Sequence, residues 1–87
     1  MQFQRTVTQA SELDISFADI TTNGWLFIQN LDATNYVKFG PKSAGVMVEL
    51  GRINPSAIAA FFLAPGVTLR MVANVADCKC EFTHFNA

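Results

Sequence analysis

The stretch Asn54-Pro-Ser-Ala-Ile-Ala-Ala-Phe-Phe-Leu-Ala-Pro-Gly-Val-Thr-Leu-Arg-Met-Val-Ala-Asn74 holds two short apolar runs around a Pro-Gly pair. Proline presets φ near −65° at the first central turn position, and glycine supplies φ > 0 at the second, as a type II turn requires. Ala57–Leu63 therefore reads as a strand entering the turn Ala64-Pro65-Gly66-Val67, and Thr68–Ala73 as its hairpin partner. The outgoing strand is amphipathic, with Leu69, Met71 and Ala73 opposite Thr68, Arg70, Val72 and Asn74. The incoming one is apolar on both sides: Ile58, Ala60 and Phe62 on one, Phe61 and Leu63 on the other. A helix over Ser56–Leu63 is the rival, since Asn54-Pro55 can start one and alanines favour it. The strand is preferred because Phe61-Phe62-Leu63 runs straight into a tight turn. A strand apolar on both faces in so short a chain implies either a sandwich interior with a second layer or a subunit contact through Phe61 and Leu63, and the contact is preferred.

Outward from this stretch the same period of two recurs. Phe3, Arg5 and Val7 alternate with Gln2, Gln4, Thr6 and Thr8, the pattern of an edge strand or arm over residues 1–9. Leu13, Ile15 and Phe17 alternate with Asp14, Ser16 and Ala18. Thr21-Thr22-Asn23-Gly24 reads as a hairpin turn, Asn-Gly being the strongest short signal for one. Trp25–Asn30 is apolar on both faces and reads as a central strand. In Tyr36–Phe39, Val37 and Phe39 point in; Gly40 and Pro41 then end the strand in a six-residue loop. Val46, Val48 and Leu50 are expected to face the core opposite Met47 and Glu49. In the last strand Cys78, Cys80, Phe82 and His84 oppose Lys79, Glu81, Thr83 and Phe85. Eight short strands about every ten residues predict one all-β domain, an antiparallel β-sandwich or jelly roll over residues 10–87 with residues 1–9 at its edge.

Composition narrows the function. Of 87 residues, 51% are apolar and only 15% charged, against roughly 25% charged in an average soluble domain. Eight are Phe. A domain this small has too little interior for so much apolar matter, so part of it is expected against another subunit or partner. The net charge of −1, with cations scattered singly, offers no basic stripe for nucleic acid. The longest apolar run, Ile58–Ala64, is far short of the ~20 residues of a membrane-spanning helix. The first residues carry no apolar signal core, and two cysteines without framework spacing fit folding in a reducing cytosol.

Chemistry-bearing residues are sparse. Cys78, Cys80 and His84 would share one strand face, yet zinc sites wrap the ion with Cys-x₂₋₄-Cys turns and a fourth ligand. Cα atoms two apart on a strand are ~6.7 Å apart, at the far edge of disulfide geometry. Both cysteines are therefore read as small buried hydrophobes. His84 is the sole histidine and so the sole ordinary general base. Asp14, Asp19, Asp32 and Asp77 are too dispersed for a calcium loop, and Asp32 and Asp77 are expected to satisfy turn amides. No catalytic residue, metal or cofactor is expected. The expected partner or subunit contacts are Phe3, Arg5, Trp25, Phe61, Leu63 and Phe85. A sugar platform on Trp25, Tyr36, Phe61 and Phe85 is the competing use of the aromatics.

Asn30-Leu-Asp-Ala-Thr-Asn-Tyr-Val37, Leu50-Gly-Arg-Ile-Asn-Pro55, Phe62-Leu-Ala-Pro-Gly-Val-Thr-Leu69 and Val72-Ala-Asn74 together resemble segments of small virion proteins of tailed bacteriophages. The resemblance spans residues 25–82. This chain departs from that pattern at Asn54-Pro55-Ser56, where a glycine-glutamate often follows the proline, and at Cys78 and Cys80, where aliphatics are usual. The resemblance implies a β-sandwich or jelly roll that decorates or cements a capsid, or that sits in the tail. The implied partners are the major capsid protein or other virion proteins. It implies a homo-oligomer too, a trimer by preference, made in the host cytoplasm and located in the virion. A tail or head-fibre module contacting host glycan is the alternative.

Overall fold

Alternation of apolar and polar side chains becomes nine β-strands in the computed structural model, which describes residues 1–17 and 20–86. They are β1 (Gln2–Val7), β2 (Leu13–Ile15), β3 (Asn23–Asn30), β4 (Val37–Ser43), β5 (Val46–Met47), β6 (Gly51–Ile53), β7 (Ile58–Phe62), β8 (Leu69–Ala73) and β9 (Cys78–Asn86). The first sheet has the order β1-β9-β3-β7, and the second runs β2-β8-β4 with β5 and β6 also on β4. All pairings are antiparallel. The two sheets face each other over a core of Leu26, Ile28, Val37, Ile53, Met71 and Phe82, all essentially without solvent contact. The all-β sandwich expected from the periodicity is the observed architecture. Ala18, expected to alternate with Phe17, and Asp19, weighed as a calcium ligand, lie outside the described residues.

Connectivity departs from the expectation at the opening stretch. Ala57–Leu63 and Thr68–Ala73 are not a hairpin: β7 pairs with β3 in the first sheet, and β8 with β2 and β4 in the second. The turn itself is as expected. Gly66 has φ of 81°, and the Val67 N–H donates to the Ala64 carbonyl at 3.2 Å. It is an arch carrying the chain across the sandwich, clamped by Asn23, whose Nδ2 donates to the carbonyls of Ala64 and Val67 at 3.0 and 3.1 Å. A matching turn lies before β7, where the Ala57 N–H donates to the Asn54 carbonyl at 3.0 Å and Ser56 takes φ of 61°. Two proline turns thus bracket β7 and hold it in the opposite sheet from its sequence neighbours β6 and β8.

Asn23-Gly24 is likewise no hairpin turn. These residues open β3, and β2 lies in the other sheet. Nor do Gly40 and Pro41 end a strand, because β4 runs through them to Ser43. Proline is tolerated here because its ring removes only an N–H that would face the Val48 segment. The Val48 N–H still donates to the Pro41 carbonyl at 2.8 Å. The Val48 carbonyl instead lies over Gly40, where an added Cβ would come within 1.9 Å of it. That approach carries Val46, Val48 and Leu50 out to the rim, so all three are exposed rather than in the core.

Buried Asn30 organises the crossing after β3. Its Nδ2 donates to the carbonyls of Asn35 and Ile53 at 2.9 and 3.1 Å, and its Oδ1 accepts from Asp32 N–H at 3.0 Å. Asp32 accepts from the amides of Thr34 and Asn35 in turn, as expected of a turn carboxylate. The Asp77 carboxylate accepts from the Gln9 N–H at 2.9 Å.

Two substitutions test this account by thermal or urea melts. Gly40→Ala forces the Val48 carbonyl away and should lower stability by about 1–3 kcal/mol, the usual cost of overpacking. Ser56→Gly relieves a left-handed backbone at a side-chain-bearing residue and should raise stability by up to about 1 kcal/mol.

Candidate interaction surface

The outer faces of the two sheets differ in chemistry. On the second sheet most of the ionic groups are paired with one another. Arg70 donates from Nε to Asp14 at 2.8 Å, and from its guanidinium to Glu12 at 3.0 Å and to the Gly45 carbonyl at 2.7 Å. Lys42 reaches Asp14 at 3.2 Å, and Glu12 accepts the Met47 N–H at 2.8 Å. Arg52 lies 4.5 Å over the Tyr36 ring. The hydrogen bond from Arg70, and then that from Lys42, hold the Asp14 carboxyl below its ordinary range. This network ties the β4–β5 turn to β2, and its charges are spent within the chain.

Over β3 and β7, the outer face of the first sheet carries no ionisable side chain. Alternation places Trp25 and Phe27 outward on β3, Ile58, Ala60 and Phe62 on β7, and Phe85 at the end of β9. Trp25 is 52% exposed, Phe62 50% and Phe85 51%. They touch one another: Trp25 meets Phe62 edge-on at 5.8 Å and stacks with Phe27 at 6.4 Å, and Phe27 meets Phe85 edge-on at 6.1 Å. Around this aromatic row the same face turns polar at Gln29, Thr83, Glu81 and Lys79. An apolar patch rimmed by polar groups is the usual mark of a surface that binds something.

An apolar cleft of 210 Å³ opens beside it at the β7 edge, between the sheets, lined by Phe39, Pro41, Leu50, Phe61, Phe62, Leu63 and neighbours. Leu50 stands at its mouth and is 72% exposed. Phe39 and Phe61 stack at 5.5 Å on its inner wall.

Of the expected contact residues, Trp25 and Phe85 lie on the aromatic face. Phe61 and Leu63 do not. Both point inward, Leu63 buried and Phe61 packed on the core, so the outward aromatic of the pair is Phe62. The phase was misread because both sets of alternate residues in this strand are apolar. Phe3 stacks on Phe82 at 5.0 Å and joins the core, while Arg5 is half-buried on the same side of β1. Phe27, Ile58 and Phe62 were missed as surface residues. The signal for them was present in β3, where Trp25 and Phe27 alternate with Leu26 and Ile28.

Cys78, Cys80 and His84 all face inward as their spacing predicts, and all are buried. The Cys80 thiol is pushed up to about 12 by burial, and burial raises Cys78 too. Such thiols are poor nucleophiles and poor ligands. Among the described residues, no group of three or more His, Cys, Asp and Glu side chains is placed to hold a metal. The His84 Nε2 accepts the Gly24 N–H at 3.3 Å, and its ring meets Phe17 edge-on at 4.1 Å. The histidine therefore acts as a neutral acceptor inside the fold, and its Nδ1 has no hydrogen-bond partner among the described residues.

No family model matches the chain, and no curated protein matches it. Among solved structures, it is similar to a de novo designed double-stranded β-helix determined by solution NMR, with a TM-score of 0.61 at 15% identity. That match covers 98% of this chain and 99% of the other. At this identity the likeness establishes the fold alone: an all-β double-stranded β-helix, two antiparallel sheets wound by a chain that passes between them.

Burial, and then the nearby N-terminal ammonium, push the His84 pKa below its ordinary 6.5. The unfolded chain thus binds this proton more readily than the folded one. Stability should be full above about 6.5 and fall as the pH drops below that toward the lowered folded value. Asp14 and Asp32, held below 3.8, add their losses only in more acidic solution. Melting temperatures from neutral to mildly acidic pH should decline in the wild type. In His84→Gln they should stay level; an equal decline in both would remove His84 as the cause.

Proposed function

We propose that this chain is a virion structural protein of a tailed phage, most simply one that decorates or cements the head, and that it binds through the aromatic face of its first sheet. The observation that carries the docking part is the contrast between the two outer faces. One has most of its charges paired within the chain; the other presents Trp25, Phe27, Phe62 and Phe85 in mutual contact with no ionisable side chain among them. An exposed aromatic cluster within a polar rim, desolvated when a partner covers it, is the composition of a protein-binding hot spot. The virion assignment is supported by the resemblance at residues 25–82 and by the low charge, which suits a protein held against a lattice. In this reading the partner is the shell protein or another virion component.

A second use of the face is favoured by the exposure of Trp25 itself, beside Gln29, Thr83 and Glu81: a flat indole with hydrogen-bonding neighbours also fits a sugar ring of a host glycan. Quenching of Trp25 fluorescence by oligosaccharides, abolished in Trp25→Ser, would support it.

Co-sedimentation with heads assembled from the parent phage's shell protein tests the main reading. Wild-type chain should pellet with the heads, and a Trp25→Ser/Phe62→Ser variant should lose most of that binding while melting near the wild-type temperature. Heads that bind neither chain, or both equally, would refute the proposed docking face.

A further inference from the structure

A sheet that does not close on itself has edges, and soluble proteins defend them with charge, proline, bulges or brevity. Three of the four edges here are defended. β1 carries Arg5 and displays Gln2, Gln4 and Thr6; β2 is three residues, and the far edge of the second sheet is split between β5, two residues, and β6, three with Arg52. The fourth edge, β7, has the sequence Ile-Ala-Ala-Phe-Phe, with no charge, no proline and no register shift against β3.

The register fixes which of its backbone groups are free. The Leu63 N–H donates to the Gly24 carbonyl at 2.9 Å, and the Asn30 N–H to the Ala57 carbonyl at 3.0 Å. In an antiparallel ladder hydrogen-bonded pairs alternate, so Ala59 and Phe61 also bond β3. The N–H and C=O groups of Ile58, Ala60 and Phe62 therefore point away from the sheet, and β3 is the only strand that pairs with β7 among the described residues.

We propose that β7 joins two copies of this chain, antiparallel about a two-fold axis at Ala60. The four strands of each first sheet then form one continuous sheet of eight. The pairing is self-complementary. Ala60 meets Ala60 of the second copy on the axis, where the smallest side chain of the three outward positions sits, and Ile58 meets Phe62 on either side. All three pairs use free donors and acceptors, which gives six backbone hydrogen bonds. Each apolar outward side chain meets an apolar one, an isologous match that closes as a dimer. Pairing β7 antiparallel with β1 of another copy, Ala60 opposite Gln4, would instead set Ile58 and Phe62 against polar Thr6 and Gln2, and would leave unpaired edges at both ends. The union also covers the mouth of the apolar cleft at Leu50 and Phe62. It involves the edge of the sheet, whereas shell docking involves its face; Phe62 belongs to both, but the oligomer mass and the β7 amides read the edge alone, so the two readings fail separately.

Light scattering on the size-fractionated wild-type chain, together with residue-resolved amide exchange, tests the contact. The wild type should have the mass of a dimer. Its Ile58, Ala60 and Phe62 amides should be protected alongside those of Ala59, Phe61 and Leu63, which β3 protects in any case. Ala60→Lys places like charges opposite each other on the axis and should give a monomer in which Ile58 and Phe62 exchange fast while Ala59 and Phe61 stay slow. Ala60→Pro should do the same, because it removes only an outward N–H, a place where an edge strand accepts proline. A monomeric wild type with fast Ile58 and Phe62 amides overturns the proposal, whatever the shell assay gives. So does a trimer or other oligomer whose mass is unchanged by Ala60→Lys. Should a variant misfold, the wild-type exchange pattern alone decides.

Discussion

With one exception, the run β4-β5-β6, successive strands of this chain belong to opposite sheets, and the rest of the structure follows from that alternation. A strand whose sequence neighbours lie across the core takes its ladder partners from far along the chain. Each connection must then span the sandwich instead of folding back in plane. The devices that stand out in the structure serve those crossings. Asn30 ties the Asn35 carbonyl of the loop after β3 to the Ile53 carbonyl of β6, Asn23 clamps the Pro65-Gly66 arch, and two proline turns isolate β7 between them. Buried amide side chains suit the task because one group can satisfy several backbone atoms that no ladder reaches.

The same winding assigns each outer face its character. The second sheet gathers Arg70, Asp14, Lys42 and Glu12 into a closed ionic network that also anchors the β4–β5 turn. The first sheet places the alternate aromatics of β3, β7 and β9 on one surface, although those strands are widely separated in sequence. The inward residues of β9 carry thiols and an imidazole that packing holds in uncharged form. The chemistry able to act on a partner is thereby concentrated on one face and one edge.

Strand positions were legible in the residues because a period of two is a local signal. So were the Pro65-Gly66 turn and the inward set Cys78, Cys80, Phe82 and His84. Partnership was not legible, for a physical reason. A type II turn has the same four-residue chemistry whether the strands it joins pair with each other or cross to different sheets, and Asn23-Gly24 is equally at home opening a strand. The site was legible in part. Trp25 and Phe85 stood out as aromatics opposite core or polar positions, but the phase of Ala57–Leu63 was degenerate because both of its faces are apolar, and Phe61 was taken for Phe62. Val46, Val48 and Leu50 were misassigned because their exposure comes from the close seat of the Val48 carbonyl on Gly40, a contact between segments that no pattern along the chain encodes.

Crossing connections also bear on how the chain reaches this structure. A hairpin can form early from residues a few positions apart, but an arch brings no ladder with it. Strand β9 must find both β1 and β3, and β7 must find β3, before either pairing offsets the chain entropy lost. Folding should therefore run on the slow scale of non-local β proteins, milliseconds to seconds, with β7 unpaired on both sides until β3 is in place. While the chain waits, Ile58–Phe62 is a bare apolar strand, and the two proline turns that bracket it limit how far it can extend into a neighbouring molecule's sheet.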